Sequence, residues 1–134
     1  METALESRAV IEECVNRSHE GTIDFATVVS KLISVGVESY YTDYRRQEHV
    51  YYLSSRETHS MQLSTPELSI ADQFEAKDVR EAVLGSQRGE IKFPEFVRRT
   101  MSAGCVGYFV WITGRQVQYF GRRGEIHVEH FPKN

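Results

Sequence analysis

GEIKFPEFVRRTMSAG, residues 89–104, decides the fold, because the chain has already written it once as GTIDFATVVSKLISVG at 21–36. Each stretch opens on a glycine, runs through a helical pattern and stops on a glycine. A shift of 68 positions pairs Gly21 with Gly89, Ile23 with Ile91, Phe25 with Phe93, Val29 with Val97 and Gly36 with Gly104. The same register holds on both sides. Upstream it pairs Glu13 with Glu81, Val15 with Val83 and Ser18 with Ser86. Downstream it pairs Tyr40 with Tyr108, Tyr51 with Tyr119, Glu57 with Glu125 and His59 with His127. No gap is needed from about residue 8 to about residue 63. Glycines, aromatics and apolar spacing matching in one register read as an internal duplication, with halves near 1–65 and 66–134 of a single domain.

Working outward, each half reads α-α-β-β-β. The first helices are expected at 9–17 and 76–87, where Val10, Cys14 and Val15 share a face, as do Val79, Ala82 and Val83. The second helices are expected at about 25–35 and 94–103. Asp24 is a candidate cap, and Pro94 suits a first helical turn, where its missing N–H is not needed. Gly36 and Gly104 are placed to end these helices in the left-handed conformation. Val28, Val29, Leu32 and Ile33 form an apolar stripe that Phe96, Val97 and Met101 repeat, with Thr100 interrupting it. Runs rich in aromatic and β-branched residues follow, predicting strands at 37–44, 49–53 and about 59–63, and again at 105–113, 117–120 and 126–131. STPELS at 64–69 is a short linker. Helices segregated from an antiparallel sheet make an α+β fold, with the halves related by a pseudo-twofold axis. A half of this size buries too little apolar surface alone, which is a physical reason for two copies.

Bulk composition narrows the function classes. The chain has 134 residues, net charge −3, 40% hydrophobic and 26% charged residues, ordinary values for a globular protein. No basic field draws it to nucleic acid, and no apolar run is long enough to span a membrane. The acidic, polar start is unlike a signal peptide, so a cytoplasmic setting is expected. Cys14 and Cys105 lie among apolar neighbours and read as buried, reduced thiols.

Chemical motifs are sparse. The five histidines (19, 49, 59, 127 and 130) lack metal-ligand spacing; His127 and His130, three apart on a strand, point to opposite faces. No nucleophile elbow, phosphate loop or carboxylate dyad is written, so no catalytic residue, metal or cofactor is expected. The related pair His59 and His127 is expected near the axis, with Glu57 and Glu125 as neighbours on the same strand face. GRRG at 121–124 reads as a hairpin turn with exposed arginines.

The aromatics are the strongest signal. In Tyr108-Phe109-Val110-Trp111-Ile112 both faces are apolar, whereas a strand with one wet face should alternate. The second face therefore needs cover, expected from helices of the other half, or from a partner or second copy of the chain. The candidate partner or ligand surface is Tyr41, Phe109 and Trp111, with His59 and His127. A non-enzymatic binding protein is the leading expectation, through a protein partner or homodimer. One alternative is a cleft between the halves, lined by tyrosines and the paired histidines, for a small ligand or an enzymatic role. A weaker alternative is single-stranded nucleic acid on an aromatic sheet rimmed by Arg45, Arg46, Arg115, Arg122 and Arg123.

The stretches Phe93-Pro94-Glu95-Phe96, Ala103-Gly104-Cys105-Val106, Val117-Gln118-Tyr119-Phe120 and the closing 126–132 resemble the YdfO-like proteins, a bacterial and prophage family of unknown function. Some members carry a phage envelope label. The similarity covers most of the chain and is clearest from about residue 70. It implies a phage-derived accessory protein and carries over no catalytic residue. The shared motifs are fold-keeping.

Overall fold

A computed structural model describes residues 4–64 and 68–132. The elements run α1 (Ala4–Glu20), α2 (Phe25–Ser34), β1 (Val37–Asp43), β2 (Glu48–Leu53), β3 (Thr58–Gln62), α3 (Ala76–Gln87), α4 (Phe93–Ser102), β4 (Cys105–Trp111), β5 (Gln116–Gly121) and β6 (Ile126–His130). The fold is α+β, as the sequence predicts. The first helix begins five residues earlier than expected, because its buried stripe starts at Ser7 and continues through Ile11, Cys14 and Val15. Part of the expected linker, 65–67, lies outside the described residues.

Local chemistry sets the element ends. Asp24 caps α2 by accepting from the Thr27 N–H at 2.9 Å. Pro94 occupies the first turn of α4. Gly36 (φ 86°) and Gly104 (φ 85°) are left-handed at the ends of α2 and α4. The hairpin residues Gln47 (φ 55°) and Arg115 (φ 57°) also match at a separation of 68. So do the β-bulges at Val37/Ser39 and Cys105/Gly107.

All six strands form one antiparallel sheet in the order β3-β2-β1-β4-β5-β6. The central pair is β1 with β4, where Tyr41 stands opposite Phe109, its own equivalent 68 residues on. This pair sits at the middle of the β1–β4 ladder, and the outer strands β3 and β6 lie farthest from it.

The four helices cover one face of this sheet. There Tyr40, Thr42, His49, Tyr51, Tyr108, Val110, Val117 and Tyr119 are buried. Ile11 and Leu32 from the first half, with Val79 and Val97 from the second, join the same core. Each fully buried side chain of this size contributes about 1.5–3 kcal/mol. Thr100, which breaks the apolar stripe in sequence, is buried and hydrogen-bonded: its hydroxyl bonds to the Phe96 carbonyl (2.9 Å) and to the Tyr44 phenol (2.7 Å). The opposite face corrects an expectation. Helices of the other half do not cover it, since both helix pairs lie on the same side. Tyr41, Tyr52, Phe109 and Phe120 are half-buried there and Trp111 is 38% exposed.

Candidate functional site

On the open face three rings form a row: Tyr52 stacks on Phe109 (6.0 Å, 12°) and Phe109 on Trp111 (4.0 Å, 17°). Ser39, the strand neighbour of both Tyr52 and Trp111, leaves room for them and is itself buried. Trp111 is held flat across β4 and β5 by its indole N–H, which donates to Gln118 Oε1 at 2.8 Å. Tyr41 packs beside Phe109 (5.8 Å) and Phe120 (6.4 Å), and Gly107 leaves space for its hydroxyl. Tyr41, Phe109 and Trp111 are thus brought together.

This face is lopsided. Over β4, β5 and β6 it carries Phe109, Trp111, Phe120, Ile126 and Val128, with Ile126 56% and Val128 39% exposed. At the positions 68 residues earlier than Trp111, Ile126 and Val128 the first half carries Asp43, Thr58 and Ser60. The apolar patch therefore belongs to the second half. Tyr52, Phe120, Ile126 and Val128 were not singled out from the sequence. The alternation in IHVEH is the signal that would have found Ile126 and Val128, and the Tyr52–Phe120 match at a separation of 68 the signal for the other two.

The two paired histidines are not brought together. His59 lies on β3 and His127 on β6, at opposite edges of the sheet. Both edge strands are separated from the central β1–β4 pair by a further strand, so neither histidine reaches the middle of the sheet. His127 Nε2 bonds to Glu129 Oε2 at 2.7 Å, not to Glu125, whose carboxylate instead accepts from the Arg123 N–H. The equivalent of Glu129 is Met61, and His59 Nε2 is correspondingly buried without a partner.

Beneath the helices, on the covered face, lies a cavity of about 110 Å3. Tyr40, Tyr51, Tyr108 and Tyr119 line it, and the histidines on its wall are His49 and His130, not the expected His59 and His127. Burial holds all four phenols well above their usual pKa. His49 Nδ1 and the Thr42 hydroxyl are hydrogen-bonded at 2.9 Å. Burial, aided by the nearby His19, lowers the His49 pKa to about 3, so its ring is neutral.

Other polar groups are occupied elsewhere. Arg45 pairs with Asp43, Arg46 with Glu48, and Arg122 with Asp72 and the Ile70 carbonyl. Arg115 donates to the Pro132 carbonyl and lies over the Phe131 ring. Cys14 and Cys105 are free and buried, and burial pushes both thiols up to about 11. Among the described residues no group of three or more His, Cys, Asp or Glu converges as a metal site. No helix among them is long and apolar enough to cross a membrane.

No curated protein matches the chain. Residues 12–130 match the family described as protein of unknown function (DUF1398). That span takes in all six strands and all but the first turns of α1, so the chain belongs to the DUF1398 family.

Proposed function

We propose that this is a binding protein that self-associates through the open face of its sheet, with a second copy of the chain as the occupant. The observation that carries the reading is that all four helices lie on one side, leaving the Trp111 patch bare. Contiguous apolar patches are uncommon on monomers. A twofold pairing places like patches together. Phe109, Trp111, Gln118, Phe120, Ile126 and Val128 carry no charge, so self-pairing meets no like-charge repulsion within the patch. Trp111, already held by Gln118 and Phe109, loses little side-chain freedom on docking. Nucleic acid is the weaker occupant: the net charge is −3, and four of the five rim arginines are engaged within the chain.

The two halves are proposed to be copies of one unit, supported by the matched φ angles, the matched bulges and the Tyr41–Phe109 pairing. The resemblance to YdfO-like prophage proteins supports an accessory rather than a catalytic role. The cytoplasm is the proposed setting, in keeping with two free thiols.

Sedimentation equilibrium over a wide concentration range tests the dimer. Trp111→Asp installs the residue that position 43 already carries at the related site. Wild type should show a concentration-dependent dimer, and the variant, with unchanged circular dichroism, should be a monomer throughout. A wild type that stays monomeric, or a variant that associates equally well, refutes the proposal.

A further inference from the structure

We propose that the cavity between the helices and the covered sheet face binds a neutral molecule about the size of one six-membered ring, carrying a single hydrogen-bonding group that meets His49 Nε2. The site lies on the other side of the sheet from the Trp111 patch and does not rest on the dimer reading.

Size comes first. The cavity measures about 110 Å3. An engineered void of roughly 150 Å3 lined by aliphatic and aromatic residues admits benzene, so this space suits a single ring and excludes fused systems. Close-packed interiors leave few spaces larger than a water molecule, so a space of this size beneath the helices is unusual.

Its lining is mainly aromatic. The rings of Tyr40, Tyr51, Tyr108 and Tyr119, all buried, stand around the space with Phe25, Phe93 and Phe96, a surround that suits a flat ring.

Chemical class follows from where the symmetry of the wall breaks. Phe25 with Phe93, Tyr40 with Tyr108, and Tyr51 with Tyr119 line the cavity as matched pairs. His49 does not match: its equivalent is Val117. Thr42, which holds His49, is equivalent to Val110. Glu129 stands beside Val117 and also reaches the lining, but its carboxylate is engaged by His127 and Arg80, so His49 is the neutral polar group that the buried wall offers a ring with one polar substituent. His49 is 4% exposed, and with Nδ1 bonded to Thr42 its other ring nitrogen is the one left for a ligand. Asp24 and Glu129 also reach the lining but are engaged by the Thr27 N–H and by His127 and Arg80; at the His49 end the neutral imidazole offers a charged ligand no counter-charge, and burying an unpaired charge there is costly.

The test uses phenol and benzene as probes, followed by ligand-detected NMR and calorimetry on wild type, His49→Val and Val83→Phe. Phenol should bind wild type and move the His49 side-chain 15N signals, a readout that needs no variant. His49→Val, which copies the residue at position 117, should weaken phenol at least tenfold and leave benzene unchanged. Val83→Phe, filling the space from α3, should abolish both. No binding of either probe at millimolar concentration, phenol binding that leaves the His49 signals in place, or equal losses of phenol and benzene in His49→Val would each overturn the proposal.

Discussion

Gly36 and Gly104 end equivalent helices with nearly the same φ, yet alanine at the two positions should have very different consequences. At Gly36 the new Cβ finds only the Ser54 hydroxyl, 3.8 Å away. The penalty there is the left-handed backbone alone, about 1–2 kcal/mol. At Gly104 the Cβ would fall on the Gln73 carbonyl, 2.7 Å from its carbon and 2.9 Å from Phe74 Cα. These are backbone atoms, so no side-chain rotation relieves the clash. The 71–75 segment must lift away, and it is held by Ala71 N–H to Met101 O (3.1 Å) and Glu75 N–H to Ala103 O (2.8 Å). Losing both hydrogen bonds adds about 1–3 kcal/mol. Gly104→Ala should therefore lose about 2–5 kcal/mol in total. Urea titration followed by circular dichroism measures the difference. With a slope of ~1–3 kcal/mol/M, the Gly104→Ala midpoint should fall about 1.5 to 4 times as far as that of Gly36→Ala. Equal shifts would refute the claim that the 71–75 segment is seated on the end of α4.

Two further outcomes follow from buried polar pairs. Tyr44 and Thr100 bond across the halves, while the equivalent positions hold the buried apolar residues Ile112 and Leu32. Thr100→Val alone orphans the Tyr44 phenol and should lose about 1–3 kcal/mol; adding Tyr44→Phe should recover most of it, which a double-mutant cycle in urea measures. His49 sets a pH dependence. The unfolded chain protonates this residue as pH falls through its ordinary 6.5, whereas the folded chain resists until about 3. Its contribution is thus complete above about pH 6.5 and is lost as pH falls from there towards 3; His19, also lowered by burial, acts in the same direction. Urea midpoints measured from pH 7.5 to 4.5 should drop less steeply in His49→Val, and an unchanged slope would contradict a buried neutral imidazole.

Much of the fold was legible because its signals are local. Residues 76–87 read as a helix and form one with those bounds. Asp24, Pro94, Gly36 and Gly104 act through their own backbone neighbours, so their roles could be read without tertiary context. The start of α1 was missed because Ser7, a polar residue, begins its buried stripe. Thr100 misled for a related reason: its hydroxyl is satisfied by Phe96 and by Tyr44, 56 residues away, and the second partner is invisible locally.

What the sequence determined by itself is the pair of α-α-β-β-β runs and the sorting of Tyr108 and Val110 from Phe109 and Trp111, since strand side chains must alternate. Tertiary structure decided which of those two sets is covered. By joining β1 to β4, the chain sets both helix pairs on one side and sends His59 and His127 to opposite edges. Alternation assigns side chains to two faces but does not say which face receives the helices. That depends on how the halves meet, a long-range packing choice made through Tyr41 and Phe109 at the centre of the sheet.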